Sequence, residues 1–412
     1  MQFVYNVFIE IYALGIRVAA LFNSKARLWV SGRKDLFLKI EKRIPKDEKI
    51  IWFHCASLGE FEQGRPVIEA FRKHFKEHKI LLTFFSPSGY EVQKDYKQAD
   101  YVFYLPLDTA ENAKKFISLT RPALAVFVKY EFWFNYLDEL SRNKIPLLMI
   151  SVIFRSSQHF FKPWGWWFRR QLQKVTFFFV QNESSVVLLN SIKIFHADIG
   201  GDTRFDRVME LPRERVELPV FEIFANGSPL LIAGSTWPAD EEILKTLILQ
   251  SEHDFKLVIA PHIVSEAHIQ QLLKLFRDQQ PLLFSHPDQA QLKESRVLII
   301  DSIGMLSYIY RFGTIAYIGG GFGVGIHNVL EAATYGLPVI FGPAYQRFQE
   351  AVELSRLGGG FPVNNANNCF EVFERFMDDK KFIQKSGEIA RNYVHENAGA
   401  TALVLEKAKE FL

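Results

Sequence analysis

The sequence predicts an α/β protein made of two doubly wound, Rossmann-like domains whose parallel sheets face a central cleft. Three observations lead there. From residue 49 onward, short and continuously apolar runs alternate with helical patterns, which is how strands read when crossover helices cover both faces of a parallel sheet. The alternation pauses at a polar, proline-containing stretch at 211–229, LPRERVELPVFEIFANGSP, and then restarts; such a composition reads as a linker. The 412 residues supply two cores at about 100–200 residues per domain.

In the first half the runs are IIWFHC (50–55), ILLTFF (80–85), YVFYL (101–105), LAVFV (124–128), PLLMISV (146–152) and TFFFV (176–180). In the second they are LLIAG (230–234), KLVIA (256–260), RVLIID (296–301), TIAYIGG (314–320) and LPVIFG (337–342). The tail 367–412 reads as helical and is expected to cross back over the first domain. The expected division is an N-terminal apolar and basic segment at 1–35, a first domain at 36–210 and a second at 211–412. In open parallel sheets ligands bind beyond the carboxyl ends of the strands, so those loops are where chemistry is sought.

Composition narrows the function. Hydrophobic residues make up 48% and charged residues 23%, ordinary for a globular chain. A net charge of +3 is too small to argue for nucleic acid. Cys55 and Cys369 are the only cysteines, too few for a disulfide framework or a metal cage, and they fit a reducing cytosolic setting. Residues 3–22, FVYNVFIEIYALGIRVAALF, are long enough to span a bilayer, but Glu10 and Arg17 interrupt them. No signal-peptide pattern is read there. With Lys25, Arg27, Arg33 and Lys34 following, the segment suits an anionic membrane surface, or a helix packed on its own domain.

The first strand runs into His54-Cys55-Ala56-Ser57-Leu58-Gly59-Glu60, a small turn opening a helix. The helix dipole favours an ionised carboxylate in that first turn, which suits a base, although helix capping explains the same residue. The strand 80–85 ends in Ser86-Pro87-Ser88-Gly89, able to hold an anion or merely to turn the chain. The strand 124–128 ends in Lys129-Tyr130-Glu131-Phe132-Trp133. This puts a second carboxylate above the sheet, as sugar chemistry often requires; a surface ion pair with Lys129 is the competing reading. In 154–170, Arg155, Lys162, Arg169 and Arg170 interleave with seven aromatic residues and no acid, which suits an anionic amphiphile, single-stranded nucleic acid, or a core helix with a basic outer face. Arg204 is placed to hold a phosphate or carboxylate, or to pair with Asp202 or Asp206.

In the second half, Ser235 and Thr236 stand at a helix start, where hydroxyls and amides cradle anions. Pro261 and His262 end the next strand. The segment 319–328, GGGFGVGIHN, runs from a strand into a helix expected to begin near Asn328. Bare amides around Gly320 and Gly321, with that helix's dipole, can bind a phosphate; alternatively the glycines only let helix and sheet pack closely. The spacing is neither GxGxxG nor a P-loop. Glu331, one turn on, is placed to take two ribose hydroxyls.

Taken in order, these stretches resemble one family over nearly the whole chain. They are KARLWVSGRK (25–34), HCASLGEFEQGRPVI (54–68), SPSGYE (86–91), EFWFNYL (131–137), GDTRFDRV (201–208), AGSTWPADEE (233–242) and GGGFGVGIHNVLEAATYGLPVIFGP (319–343). The chain resembles the bacterial 3-deoxy-D-manno-octulosonic acid (Kdo) transferases, of the two-domain GT-B class. The resemblance implies inverting transfer of Kdo from CMP-Kdo to a phosphorylated, lipid IVA-like precursor of lipid A, in lipopolysaccharide core synthesis. It implies no cofactor and no metal, at the cytoplasmic face of the inner membrane. Glu60 then looks like the general base, Glu131 like a second carboxylate supporting an oxocarbenium-like transition state, and Arg204 stands where the family has a basic residue. The donor site implied comprises Ser235, Thr236, Pro261, His262, Ile303, Gly304, Met305, Gly320, Gly321, Asn328, Val329, Leu330 and Glu331; the acceptor site comprises Ser57, Gly59, Ser86, Ser88 and Arg155. Three positions depart from the family pattern: His262, commonly Arg; Met305, commonly Glu; and Trp237, commonly His. The competing functions are a GT-B enzyme using a UDP-sugar and a non-catalytic lipid-binding protein of the membrane surface.

Overall fold

The structure, a computed structural model, describes residues 1–213, 216–288 and 290–412. It divides into two compact units, 1–207 with 398–412, and 208–397.

The first unit holds a seven-stranded, wholly parallel sheet. Its strands are β1 (Ile50–Cys55), β2 (Lys79–Phe84), β3 (Tyr101–Tyr104), β4 (Pro122–Val128), β5 (Leu147–Val152), β6 (Phe177–Val180) and β7 (Ala197–Ile199), in the order β3-β2-β1-β4-β5-β6-β7. β1 is central, buried along its whole length. Its alternation splits the side chains between two cores: Trp52 joins Phe116, Phe127 and Tyr136 on one face, while Phe53 and Cys55 join Phe61, Phe71 and Val126 on the other.

Two expectations about this unit are corrected. Residues 1–35 are part of it rather than a separate segment. The helix Gln2–Ala19 turns Ile9 and Ala13 inward and is tied down by polar contacts. Tyr5 donates to Asp108 at 2.5 Å, and Gln2 Nε2 donates to Asn135 Oδ1 at 2.9 Å. Arg33, expected among the surface cations, is half-buried and turned inward. It donates to the carbonyls of Phe85 (2.7 Å), Leu105 (2.9 Å) and Trp29 (3.1 Å), and its guanidinium lies 3.9 Å over the Trp29 ring. Burial pulls Arg33 down to about 9. Second, the domain boundary falls after Arg207 rather than 210, while the last helix, Ala400–Ala408, crosses back to the first unit as expected. There Val404, Leu405 and Ala408 join the Phe53 and Phe71 core. Asp206 holds the start of that helix, accepting from Gly399 N at 2.6 Å, Thr401 N at 2.7 Å and Thr401 Oγ1 at 2.8 Å.

The second unit repeats the design with β8 (Leu230–Thr236), β9 (Lys256–Pro261), β10 (Leu282–Leu283), β11 (Val297–Ile299), β12 (Ile315–Ile318), β13 (Val339–Phe341) and β14 (Gly360–Pro362), ordered β10-β11-β9-β8-β12-β13-β14 and again wholly parallel. The predicted linker is largely structured. Pro219–Ala225 is a helix with Pro at its first position and Phe221 and Phe224 buried, three residues apart on one face. Phe221 stacks between Phe284 (5.6 Å) and Phe312 (5.2 Å). Glu214 and Arg215 of that stretch, and Gln289, lie outside the described residues. In 154–170 the basic and aromatic residues divide: Phe154, Phe160 and Trp167 are core, and Arg169 donates to the Phe160 carbonyl at 2.9 Å, whereas Trp164 and Trp166 are exposed. Among the described residues no helix is long and apolar enough to cross a membrane.

Candidate active site

In the first unit the predicted residues gather at the carboxyl end of β1. Ser57 is the extended residue before the helix Leu58–His74, and Glu60 is that helix's third residue. The Ser57 hydroxyl donates to a Glu60 carboxylate oxygen, fixing the acid on its own cap. Glu60 is half-buried and Gly59 exposed. The 86–89 turn lies against this loop: Ser86 N donates to Ala56 O at 2.7 Å, and a Cβ on Gly89 would come within 3.0 Å of the Ser57 carbonyl carbon. Ser86 itself caps the helix Pro87–Gln93, accepting from Ser88 N at 3.2 Å, with the two hydroxyls 2.9 Å apart.

Glu131 does not pair with Lys129. Lys129 sits at φ +65, where the chain turns out of β4, and Glu131 folds inward. Its Oε2 accepts the Trp133 indole N–H at 2.6 Å and lies 3.3 Å from His54 Nε2. His54 is fully buried, on the Trp52 face of β1, with Nδ1 2.9 Å from Thr83 Oγ1. Thr83 Oγ1 in turn accepts from Trp52 Nε1 at 2.8 Å. Both acids act on one neighbour: burial pushes the Cys55 thiol well above its ordinary value, and the charges of Glu60 and Glu131 push the same way. His54 and Trp133 were not singled out from the sequence, although a histidine ending an otherwise apolar strand was a visible signal.

Arg204 pairs with Asp202, not Asp206: its Nη2 is 2.8 Å and its Nε 2.9 Å from Asp202 Oδ2. Burial alone would raise the Asp202 carboxyl, but the Arg204 charge and hydrogen bonds from Arg204 and from Gln63 Nε2 (2.9 Å) hold it below its ordinary value. Arg155 is exposed. Burial raises the Tyr130 hydroxyl, the Arg155 charge lowers it and Asp202 raises it, so both groups are felt beside Glu131.

The second unit's loops differ in kind. Several of the amides in 319–328 are already paired: Gly319 donates to Gly234 O, Gly323 and Gly325 to Gly320 O, and His327 to Gly319 O, all within 2.9–3.2 Å. Gly320 N donates to Asp240 Oδ2 at 2.9 Å. The close-packing reading prevails. A Cβ on Gly319 would meet Ser235 O at 2.3 Å, and one on Gly321 would meet Gly342 N at 2.6 Å. Asp240 also accepts from Trp237 N (2.9 Å) and the Tyr317 hydroxyl (2.8 Å), pinning the loops after β8 and β12 together. Burial raises its carboxyl, while these bonds pull it down.

The helix expected from Asn328 is a single turn, Leu330–Ala333, because Gly336 at φ +77 turns the chain soon after. So short a helix supplies little dipole. The Val329 and Leu330 side chains are core. Asn328 Oδ1 takes the Leu330 amide at 3.1 Å, and its Nδ2 donates to Glu331 Oε1 at 3.0 Å, so Asn328 and Glu331 are held as a pair, both half-buried. Thr236 spends its hydroxyl on Glu241 Oε1 (3.0 Å), which also contacts His268 Nε2 (2.9 Å), while Ser235 sits at φ +54. Pro261 is buried at the end of β9. Two of the three departures meet here. His262 stacks between Trp237 (4.8 Å, 19°) and His327 (4.4 Å, 25°), and Trp237 Nε1 donates to His327 Nε2 at 3.2 Å. Burial and the neighbouring His262 hold His327 below its ordinary value. Met305 follows the exposed Ile303 and Gly304, the latter at φ +91. A cavity of about 200 Å³ opens beside Trp237, Asp240, Gly320 and Phe322. Among the described residues no group of three or more His, Cys, Asp or Glu is gathered to hold a metal ion.

A family model described as 3-deoxy-D-manno-octulosonic-acid transferase (kdotransferase) matches residues 32–207, the stretch that carries Glu60, Glu131 and Arg204. The 3-deoxy-D-manno-octulosonic acid transferase of Aquifex aeolicus is 27% identical over 371 residues, spanning 88% of this chain and 93% of its own. That of Chlamydia pneumoniae is 26% identical over 421 residues, spanning 95% and 92%. Along most of its length the chain is similar to the Kdo transferases. A bifunctional glycosyltransferase/methyltransferase of Fusobacterium nucleatum is also similar, 25% identical over 383 residues; these are 89% of this chain but 59% of that protein. The fold is GT-B, two Rossmann-like domains. UDP-GlcNAc 2-epimerase from Neisseria meningitidis shares it at a TM-score of 0.62 and 18% identity, over 88% of this chain and all of that one. A glycosyltransferase from Rickettsia africae shares it at 0.58 and 13%, over 89% and 99%.

Proposed function

We propose that this protein transfers Kdo from CMP-Kdo, with inversion and without a metal, to a phosphorylated lipid A precursor of the lipid IVA kind, in building the lipopolysaccharide core. The observation that carries the reading is the pair of carboxylates at the end of β1: Glu60 fixed by Ser57 at a helix start, and Glu131 locked by Trp133 and His54. Glu60 removes the proton of the acceptor hydroxyl as that oxygen attacks the anomeric carbon opposite CMP. Glu131 stabilises the positive charge that develops on the sugar. CMP leaves as a monophosphate and has no pyrophosphate to neutralise, so basic side chains and amides suffice. Asn328 and Glu331 hold the CMP ribose, and the Trp237–His262–His327 stack offers a flat wall beside it.

The protein works at the cytoplasmic face of the inner membrane. Phe3, Phe8, Ile11, Leu14 and Val18 of the first helix are exposed, as are Phe22 after it and Trp164 and Trp166. Apolar and aromatic groups of this kind enter the interfacial layer, and Lys25, Arg27 and Lys34 meet anionic headgroups.

The test is transfer from CMP-Kdo generated in situ to lipid IVA, read by mass spectrometry. A gain of one or more Kdo units, abolished by Glu60→Gln, supports the reading and counts the sugars. A folded protein that binds UDP and not CMP overturns the donor. Liposome binding that survives with no nucleotide binding at all overturns the enzyme.

A further inference from the structure

We propose that His54 is a positioning residue for Glu131, held as its Nε2–H tautomer by a chain of hydrogen bonds anchored in the core of the sheet. The chain can be followed proton by proton. Trp52 Nε1 has only a proton to give, and gives it to Thr83 Oγ1 at 2.8 Å. The single hydroxyl proton of Thr83 then has two acceptors in reach, His54 Nδ1 at 2.9 Å and the Phe53 carbonyl at 3.3 Å, and the nearer is the imidazole. With Nδ1 accepting, a neutral His54 carries its proton on Nε2, which lies 3.3 Å from Glu131 Oε2. The same oxygen accepts Trp133 Nε1 at 2.6 Å. The Thr83 carbonyl also lies 3.2 Å from Nδ1, so this tautomer leaves one neutral acceptor facing the Nδ1 lone pair. In the opposite tautomer a bare Nε2 lone pair faces the carboxylate, and the Trp133 N–H, 3.1 Å from Nε2, must be shared between the two.

The ring cannot easily change its aim. His54 is fully buried, with its edge against Phe127 (5.4 Å, 67°) and Trp133 (6.4 Å, 68°). The consequence falls on Glu131. Oε2 is committed to two N–H donors, and Oε1 makes no hydrogen bond among the described residues. One carboxylate oxygen therefore anchors while the other works, at a side chain that is only 12% exposed. This inference rests on the proposed role of Glu131, and deepens it: positioning within tenths of an ångström is what a site of this kind needs.

The experiment has two arms. In the full-length protein labelled with nitrogen-15 in its 11 histidines, the ring signals of His54 are identified by their loss in His54→Gln. They should report a neutral Nε2–H tautomer slow to exchange with water. An Nδ1–H tautomer overturns the proposal, whatever the protein catalyses. In the second arm, His54→Leu should lower kcat for Kdo transfer by about 10–100-fold, with KM for donor and acceptor within about 2-fold of the wild type. His54→Gln, whose amide N–H reaches toward Glu131, should restore most of the rate. Equal losses in the two variants, tracking the fall in Tm, overturn the positioning role. If the wild type itself transfers no Kdo, the proposed function fails while the tautomer measurement still decides this one.

Discussion

The two sheets share a design and differ in how they finish their strands. Leaving aside one edge strand in each, β7 and β10, six strands run in the same relative order, β3-β2-β1-β4-β5-β6 against β11-β9-β8-β12-β13-β14, the doubly wound order. In the first unit the strand ends carry acids locked by side chains: Ser57 on Glu60, Trp133 and His54 on Glu131, and Arg204 on Asp202. The second also locks acids after β8, Thr236 on Glu241 and Tyr317 on Asp240, but there glycines add close approach, so that backbones touch at Gly319–Ser235 and Gly321–Gly342. One scaffold thus finishes its strands in two ways, and the difference lies in how far glycines let the loops close on one another.

The sharpest way to break that comparison is to exchange one acid on each side. Glu60→Gln should cost about 10²–10⁴-fold in kcat and leave CMP affinity unchanged by calorimetry, whereas Glu331→Gln should weaken CMP binding in a folded protein. If both variants lose only affinity, the division of labour is wrong.

Next in size is the glycine contact. A methyl at Gly319, 2.3 Å from a carbonyl oxygen, should destabilise the second unit by about 1–3 kcal/mol, read as a lower Tm. The first unit's core should keep its hydrogen-exchange protection.

Acid should pull the two units in opposite directions. Burial pushes the Asp108 carboxyl up to about 6, although Tyr5 and the Asn135 and Tyr136 amides pull it down. Its folded value thus lies above the unfolded value of about 3.9, so the stability it contributes is present at low pH and lost as pH rises through about 6. That difference is on the order of 2 kcal/mol. Asp108→Asn should gain Tm relative to the wild type between pH 5 and 7; an unchanged gap sinks the assignment. His327 is depressed, so its contribution is present above the ordinary imidazole value of about 6.5 and fades as pH falls. His327→Gln should narrow the acid loss of the second unit by a smaller amount.

Asp206→Ala should be modest, about 0.5–2 kcal/mol for a lost helix cap. Its mark should be faster amide exchange confined to 400–408, because the three bonds from Asp206 end there.

The strands of both sheets were legible because parallel strands buried on both faces are continuously apolar; β1 at 50–55 has the bounds its sequence predicts. β7, β10 and β14 were not, since two or three residues carry no pattern. The helix at 219–225 was hidden because its two phenylalanines sit among prolines and acids. Glu60 and Glu131 could be picked out by their places after strands. Asp202 was among the partners the sequence offered for Arg204, but the Thr83–His54–Glu131 chain could not be read, because it joins residues 29 and 77 positions apart. The glycine loop misled in the opposite way: composition reveals where amides lack side chains, not where those amides have already found carbonyls.

The return of the last helix to the first unit also sets a timetable. The first unit begins the chain, yet its Phe53–Phe71 core waits for Val404, Leu405 and Ala408. As the chain leaves the ribosome, the whole of the second unit, 208–397, is available before the first can close. The first unit is therefore finished after the second, and the stability of the core around β1 is withheld until residues 400–408 have been made.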